Sequence, residues 1–255
     1  MLRMAIADFM AQTHRERELV IVHDASQEFD HALQALVAGI VRNASSGRSP
    51  STGAAALAPS IRVHREEAGA SLGTLRNRAV ALAEGAYICQ WDDDDRYHPE
   101  RLTRQYDALV AEQADACCLV DQWHWFQTRG EIYWDDWSVE TYPFNVIPGT
   151  LLCRRAHMPS YPDSATGEDS AAMSALIRAG LRIARLRDSG WTYIYVHHGG
   201  NVFAEAHHAA ISHWKALRGA RLVARSAQIE RRFAEYAELP SLRWPNGVDD
   251  LRLAK

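Results

Sequence analysis

The chain has 255 residues, 47% hydrophobic and 24% charged, a balance that argues for a folded globular protein and against a disordered one. Its formal net charge of −4 gives no general attraction to nucleic acid or anionic lipid, so any phosphate site has to be local. No apolar run approaches the roughly 20 residues that span a bilayer, and the N-terminus lacks a signal-peptide core. These features predict a soluble, cytoplasmic chain and leave peripheral membrane contact open.

Leu2, Ile6, Phe9 and Met10 mark one face of a helix that begins almost at the first residue. Leu19-Val20-Ile21-Val22 reads as a short strand with His23-Asp24-Ala25-Ser26 at its carboxyl end, and Phe29, Leu33, Leu36, Val37 and Ile40 make the next helix. Residues 43 to 60, rich in Ser, Gly, Ala and Pro, read as a mobile loop. Ile61 to His64 is extended, and a turn through Gly69 and Gly73 leads to a helix carrying Leu75, Arg76, Asn77, Val80 and Leu82 that stops at Gly85.

Ala86 to Trp91 then forms a strand that ends in Asp92-Asp93-Asp94-Asp95, and Pro99 opens a helix with Leu102, Tyr106, Leu109 and Val110. Strands alternating with helices predict an α/β fold, a mainly parallel sheet sandwiched by helices. Beyond Asp115, Ala116 to Phe126 and Glu131 to Trp137 read as a hairpin around Gly130, with Trp123, Trp125, Tyr133, Trp134 and Trp137 either in the core or lining an acceptor groove. Thr150 to Cys153 is a strand, Ser160 to Gly167 a loop, and Glu168-Asp169 opens an Ala-rich helix. Two extended runs, Leu181 to Leu186 and Trp191 to Val196, precede His197-His198-Gly199-Gly200-Asn201; the remainder reads as helical, then irregular around Pro240 and Pro245. Cys89, Cys117, Cys118 and Cys153 follow no metal or redox spacing and read as buried free thiols.

Four adjacent carboxylates repel one another unless water or a cation neutralises them. In an extended segment Asp92 and Asp94 point one way and Asp93 and Asp95 the other, so only one pair shares a cation cleanly. Magnesium or manganese held by one or two carboxylates and a substrate diphosphate fits; a solvated turn that starts a helix fits equally. Glu168-Asp169 is either a helix-dipole complement or a general base, and His198 either a metal ligand or an ordinary polar residue.

Taken together and in order, these residues resemble family 2 glycosyltransferases of the GT-A fold. The matching stretches are Glu18 to Ser26, in which His23 stands where the family's Asp-Asp-x-Ser motif begins, and the Arg76-Asn77 helix between Gly69 and Gly85. Asp92 to Asp95 with Pro99 and Leu102, then Gly167-Glu168-Asp169, then His198-Gly199-Gly200-Asn201 complete the set. The resemblance spans about residues 2 to 203. It implies a GT-A type Rossmann-like domain over 1–203, a C-terminal helical extension over 204–255, and a metal-dependent inverting transfer from a nucleotide diphosphate sugar, UDP-linked, to a hydroxyl of a glycan, lipid-linked or other acceptor. The implied roles are donor binding by Asp24, Arg76, Asp92 and Asp93, manganese or magnesium held by Asp94 and His198, and deprotonation of the acceptor by Asp169 with Glu168 beside it. Rival readings are an inactive carbohydrate-binding or assembly protein on the same scaffold, and a metal-dependent phosphohydrolase. Family members also carry a strand and turn ahead of the first helix, whereas this sequence begins inside that helix. The resemblance therefore implies either a start further upstream or an incomplete donor pocket, with open sheet edges that an oligomer would be one way to cover.

Overall fold

The computed structural model describes residues 1–46, 59–245 and 251–253. Helix α1 (Leu2–Met10) buries Ala5, Ile6 and Phe9, the face that the periodicity marks. Strands β1 (Glu18–His23) and β2 (Ser60–Arg65) pair in parallel, Leu19 opposite Ile61 and Val22 opposite His64, with α2 (Gln27–Ser46) between them in the chain. The loop predicted from residue 43 starts later, because Asn43-Ala44-Ser45-Ser46 contains no Gly or Pro to stop α2. The rest of that predicted loop, residues 47–58, lies outside the described residues.

Helix α3 (Leu72–Leu82) is capped by Ser71, whose Oγ accepts from the Thr74 amide at 3.1 Å. A methyl group on Gly73 would stand 1.8 Å from the Pro162 carbonyl oxygen. Only glycine lets the loop after residue 160 cross α3 this closely, and that crossing aims the following helix at the acids.

Strand β3 (Tyr87–Cys89) precedes the aspartates, β4 (Arg96–Tyr97) follows them, and α4 (Arg101–Ala111) starts just after Pro99. Next come β5 (Ala116–Leu119), the hairpin β6 (Asp121–Phe126) and β7 (Glu131–Asp136), β8 (Leu152–Arg154), α5 (Glu168–Arg178), β9 (Ile183–Leu186) and β10 (Tyr193–His197). Helices α6 (Glu205–Lys215), α7 (Ala220–Val223) and α8 (Ser226–Ala234) and strands β11 (Leu242–Trp244) and β12 (Leu251–Leu253) complete the described chain.

The strands form three sheets, β1-β2, β3-β8-β5-β9 and β12-β11-β7-β6-β10-β4. Strands β3, β5 and β9 run in one direction and β8 in the other, so Asp92, Asp121 and Asp188 lie at the same carboxyl end. The sheets are more mixed than the predicted mainly parallel arrangement: β6 and β7 join by a tight turn at Gly130 (φ +61°), and β8 enters with no α-helix between it and β7.

Among the described residues, β1 is bonded only to β2, and β3 only to β8. A cavity of about 320 Å³ runs along the free edge of β1, lined by Leu19 to Asp24, Ala5 and Ile6 of α1, Arg76 of α3, and Trp91 to Asp93. All six residues of β1 are only half-buried in consequence. Among the described residues, that edge of β1 has no strand partner.

Trp123, Trp125 and Trp134 are buried, which removes them from the acceptor groove that their sequence positions allowed. They join Trp191 in a core that also takes Leu222, Ile229, Phe233 and Trp244 from the last fifty or so residues. The C-terminal stretch is therefore packed onto the domain, and β11 adds to β7 at Arg243–Glu131. A three-residue strand is too short to show an alternating pattern, so the sequence reads it as irregular. All four cysteines are free; burial pushes the Cys117 and Cys153 thiols up to about 12, which leaves them protonated and inert.

Candidate active site

The acids sit in a turn, not in an extended segment, and each meets a different partner. Trp91 stacks on Tyr97 at 3.7 Å between ring centres and donates its indole N–H to the Ala5 carbonyl at 3.1 Å. The Asp92 amide donates to the Tyr97 hydroxyl at 2.6 Å, and that hydroxyl donates to the Asp92 carbonyl at 2.9 Å. Tyr97 thereby clamps the loop closed, and the simple alternation expected of a strand is lost.

Asp95 is the inward-facing member. It is 2% exposed, accepts from the Tyr193 hydroxyl, and accepts from the Val196 amide at 2.9 Å. Burial first, then the charges of Asp94 and Asp92, push its carboxyl well above the usual range. It ties the acid loop to β10 and serves structure. Asp93 points toward solvent beside the cavity along β1; desolvation and the adjacent Asp94 and Asp92 charges raise it.

Asp92 accepts from Arg76 Nη2 at 2.8 Å and from Gln90 Nε2 at 3.1 Å. The other terminal nitrogen of Arg76 lies 2.8 Å from Glu168 Oε1, so one guanidinium joins the acid loop to the start of α5. Arg76 also lies 5.6 Å over the Tyr161 ring, and Glu168 is 3% exposed. Arg76 and Asp92 also line the neighbouring cavity along β1, but the direct partners of Arg76 are carboxylates.

Gly167 takes a left-handed conformation (φ +71°) to turn the chain into α5, where Asp169 is only half-buried and accepts from the Ser170 amide at 2.6 Å. A methyl group on Gly149 would lie 3.7 Å from Asp169 Oδ2 and 3.9 Å from Asp92 Oδ2, so this glycine keeps the gap between the two carboxylates open. Asp24 lines the same cavity as Arg76, Asp92 and Asp93, and its carboxylate accepts from the Gly69 amide at 3.0 Å. His23 turns the other way, to Asp30 at 3.1 Å.

His198 Nε2 lies 3.2 Å from Asp94 Oδ2. Its ring is held by Gly200 N–H at Nδ1, 3.3 Å away, and its backbone amide donates to Asn201 Oδ1 at 2.8 Å, which accounts for the glycine and asparagine that follow it. A carboxylate oxygen and an imidazole nitrogen converging from two elements could hold a divalent cation. A separate group, His98, Glu100 and Glu235, has ligand atoms within 4.8 Å of one another, but Arg232 bonds both glutamates at 2.9 and 2.8 Å and supplies the positive charge there.

The structure thus brings Asp24, Arg76, Asp92, Asp93, Asp94, Glu168, Asp169 and His198 to one region at the carboxyl end of the strands, where ligands of open α/β sheets bind. Sequence reasoning missed Gln90, Tyr97, Gly149 and Tyr193, which shape the site without belonging to a spaced motif.

A family model described as glycosyl transferase family 2 matches residues 1–160, more than half of the chain. The chain belongs to that family. No curated protein sequence matches it significantly. Among solved structures, S. aureus TarS residues 1–349 superposes with a TM-score of 0.52 at 20% identity, covering 76% of this chain and 56% of that fragment. The same TarS fragment in complex with UDP-GlcNAc gives 0.53 at 19% identity (77% and 54%), and in complex with UDP 0.51 at 18% (82% and 65%). The family 2 chain described here therefore shares the GT-A type α/β fold of TarS; it spans little more than half of the 1–349 fragment and 39% of the longer TarS chain. No described helix is long and apolar enough to cross a membrane.

Proposed function

We propose that this chain transfers a sugar from a UDP-linked nucleotide sugar to an acceptor hydroxyl, with inversion at the anomeric carbon. The observation that carries the reading is the Arg76 guanidinium holding Asp92 and Glu168 together, with Asp169 next to Glu168 and Asp24 in the adjoining cavity. Donor-side and acceptor-side groups thereby face one cleft. Its likeness to TarS, solved with UDP-GlcNAc and with UDP, supports a uridine nucleotide.

In this reading Asp24 accepts from the donor base, and Asp92 and Asp93 hold the ribose side. Asp94 and His198 would bind manganese or magnesium, which supplies positive charge to the departing diphosphate. Asp169, half-exposed at the open gap kept by Gly149, takes the proton from the acceptor hydroxyl. The acceptor oxygen forms its bond to the anomeric carbon as the carbon–oxygen bond to UDP breaks, and that electron pair leaves with the diphosphate. Glu168, engaged by Arg76 and buried, positions Asp169 and keeps Arg76 near the leaving group. We assign residues 1–203 to this catalytic unit and 204–255 to the stretch that buttresses its strands. The buried, protonated thiols support a cytoplasmic location.

Thermal shift with manganese and a panel of UDP sugars tests the reading. A stabilising shift is expected in the wild type and none in Asp94→Ala, while Asp169→Asn keeps the shift and loses transfer. Binding indifferent to both substitutions would instead indicate an inactive scaffold, and phosphate release without transfer a phosphohydrolase.

A further inference from the structure

Four tyrosines are buried among the described residues, and three of them use the hydroxyl inside the protein. Tyr97 bonds the Asp92 backbone, Tyr193 donates to Asp95, and Tyr236 donates to the Trp191 carbonyl at 2.8 Å. Tyr161 is 5% exposed, yet its hydroxyl meets no partner among the described residues. A buried phenol ordinarily finds one, because burial has removed the water that would serve it.

The side chain is firmly placed. Asn77 grips the Tyr161 backbone from both sides: its amide donates to the Tyr161 carbonyl at 2.8 Å, and its side-chain carbonyl accepts from the Tyr161 amide at 2.8 Å. That grip gives the asparagine of Arg76-Asn77 its task. Arg76, one residue earlier on α3, lies 5.6 Å over the ring. The position of the phenol is thus set before any ligand arrives. Its oxygen is not sealed inside the protein, and the charged groups around it are those of the candidate active site. Burial raises the phenol most, Arg76 lowers it, and Asp92, Asp169 and Glu168 raise it, so the hydroxyl stays protonated and both donates and accepts.

An open place lies in the same region. A methyl group on Gly149 would stand 3.5 Å from Gln90 Nε2, 3.7 Å from Asp169 Oδ2 and 3.9 Å from Asp92 Oδ2, so the space is empty and has three polar groups at its border. Three carboxylates, Asp92, Glu168 and Asp169, surround the one guanidinium of Arg76 here. A ligand carboxylate or phosphate in this place would meet like charge. A sugar hydroxyl instead donates to a carboxylate and accepts from the Tyr161 hydroxyl or the Gln90 amide. We infer that Tyr161 is a specificity-determining residue: its hydroxyl bonds a hydroxyl of the transferred sugar, and with the acids around it restricts the donor to a neutral sugar. The place suits that ring because Asp92 stands on the donor side and Asp169 on the acceptor side, and the anomeric carbon has to react between them. The assignment rests on the glycosyltransferase reading.

Titration calorimetry with manganese tests it, comparing UDP with UDP-glucose, UDP-galactose, UDP-GlcNAc and UDP-glucuronate on the wild type, Tyr161→Phe and Gly149→Ala. At least one neutral donor is expected to bind about threefold to tenfold more tightly than UDP. Phenylalanine keeps the ring beneath Arg76 and removes only the hydroxyl, so Tyr161→Phe should lose this gain while its UDP affinity and melting temperature match the wild type. A hydroxyl that served only the fold would show the opposite, a lower melting temperature with the gain intact. Gly149→Ala, whose methyl meets no atom closer than 3.5 Å, should fold normally and lose the gain by filling the open place. UDP-glucuronate, which differs from UDP-glucose by a carboxylate at C6, should bind no more tightly than UDP. The inference is overturned if either variant keeps the gain, if UDP binds and no neutral donor exceeds it, or if UDP-glucuronate binds tightest. Absence of binding by UDP and by every UDP sugar would refute the glycosyltransferase reading, and the inference with it.

Discussion

Replacing Arg76 with alanine removes the cation that stands between Asp92 and Glu168. The two sides of this bridge are not equal. Glu168 has a side chain only 4% exposed, whereas that of Asp92 is 28% exposed and can be rehydrated. Breaking a buried pair by deleting one partner costs about 3–5 kcal/mol, because the remaining charge stays desolvated. The Asp92 side adds no more than about 1 kcal/mol, the range of accessible pairs. For a chain of this size each kcal/mol corresponds to roughly 2–4 °C, so Arg76→Ala should melt about 10 °C lower. The double variant Arg76→Ala, Glu168→Gln should recover more than half of the loss, since no uncompensated buried charge remains. Arg76→Lys should fall between, because a single ammonium cannot span both carboxylates in the way a planar fork does. Urea denaturation of the four proteins measures these differences. A loss under about 1 kcal/mol for Arg76→Ala, or a double variant no more stable than the single one, would refute the view that the guanidinium's main structural task is to neutralise Glu168.

Gly73→Ala should destabilise by about 2 kcal/mol or more, since its methyl would meet the Pro162 carbonyl at 1.8 Å; a normal melting temperature would show that the 160–167 loop yields easily. Burial, offset in part by the Trp134 indole and the Ser189 and Gly190 amides, raises Asp121 to about 6. Its folded value is thus above the unfolded one, near 3.9, so it contributes stability that is full below about pH 4 and is lost as pH rises through about 6. Asp121→Asn should flatten the dependence of the urea midpoint on pH across that window, and parallel profiles for the two proteins would contradict it. Hydrogen exchange should be faster in Leu19 to Val22, along the free edge of β1, than in Trp123 to Phe126, which are paired on both sides; equal protection would mean that the edge is covered in solution.

Much of the site was legible because its residues are tied to chain direction. Acids after a strand, a Glu-Asp pair at a helix start and a His-Gly-Gly-Asn turn after a strand are local arrangements, and parallel topology delivers strand ends to one side. The division of labour among the four aspartates was not legible. Alternation assigned Asp93 and Asp95 to one face, whereas the Tyr97 clamp folds the loop so that Asp95 is buried on Tyr193 while Asp93 stays at the cavity. Arg76 was read toward the nucleotide, and only the crossing of the 160–167 loop over α3 brings Glu168 within its reach.

The sequence by itself determined the order of strands and helices, the hairpin at Gly130 and the free thiols, since each depends on periodicity or on neighbours in the chain. The tertiary structure alone decided which aromatics face water. Trp123, Trp125 and Trp134 read from the sequence as core residues or as the lining of a groove; α7, α8 and β11 cover that sheet and make them core, while Trp214 and Phe144, unremarkable in sequence, are left outside. Burial is a property of what packs against a side chain, and the partners that cover this hairpin come from residues far along the chain.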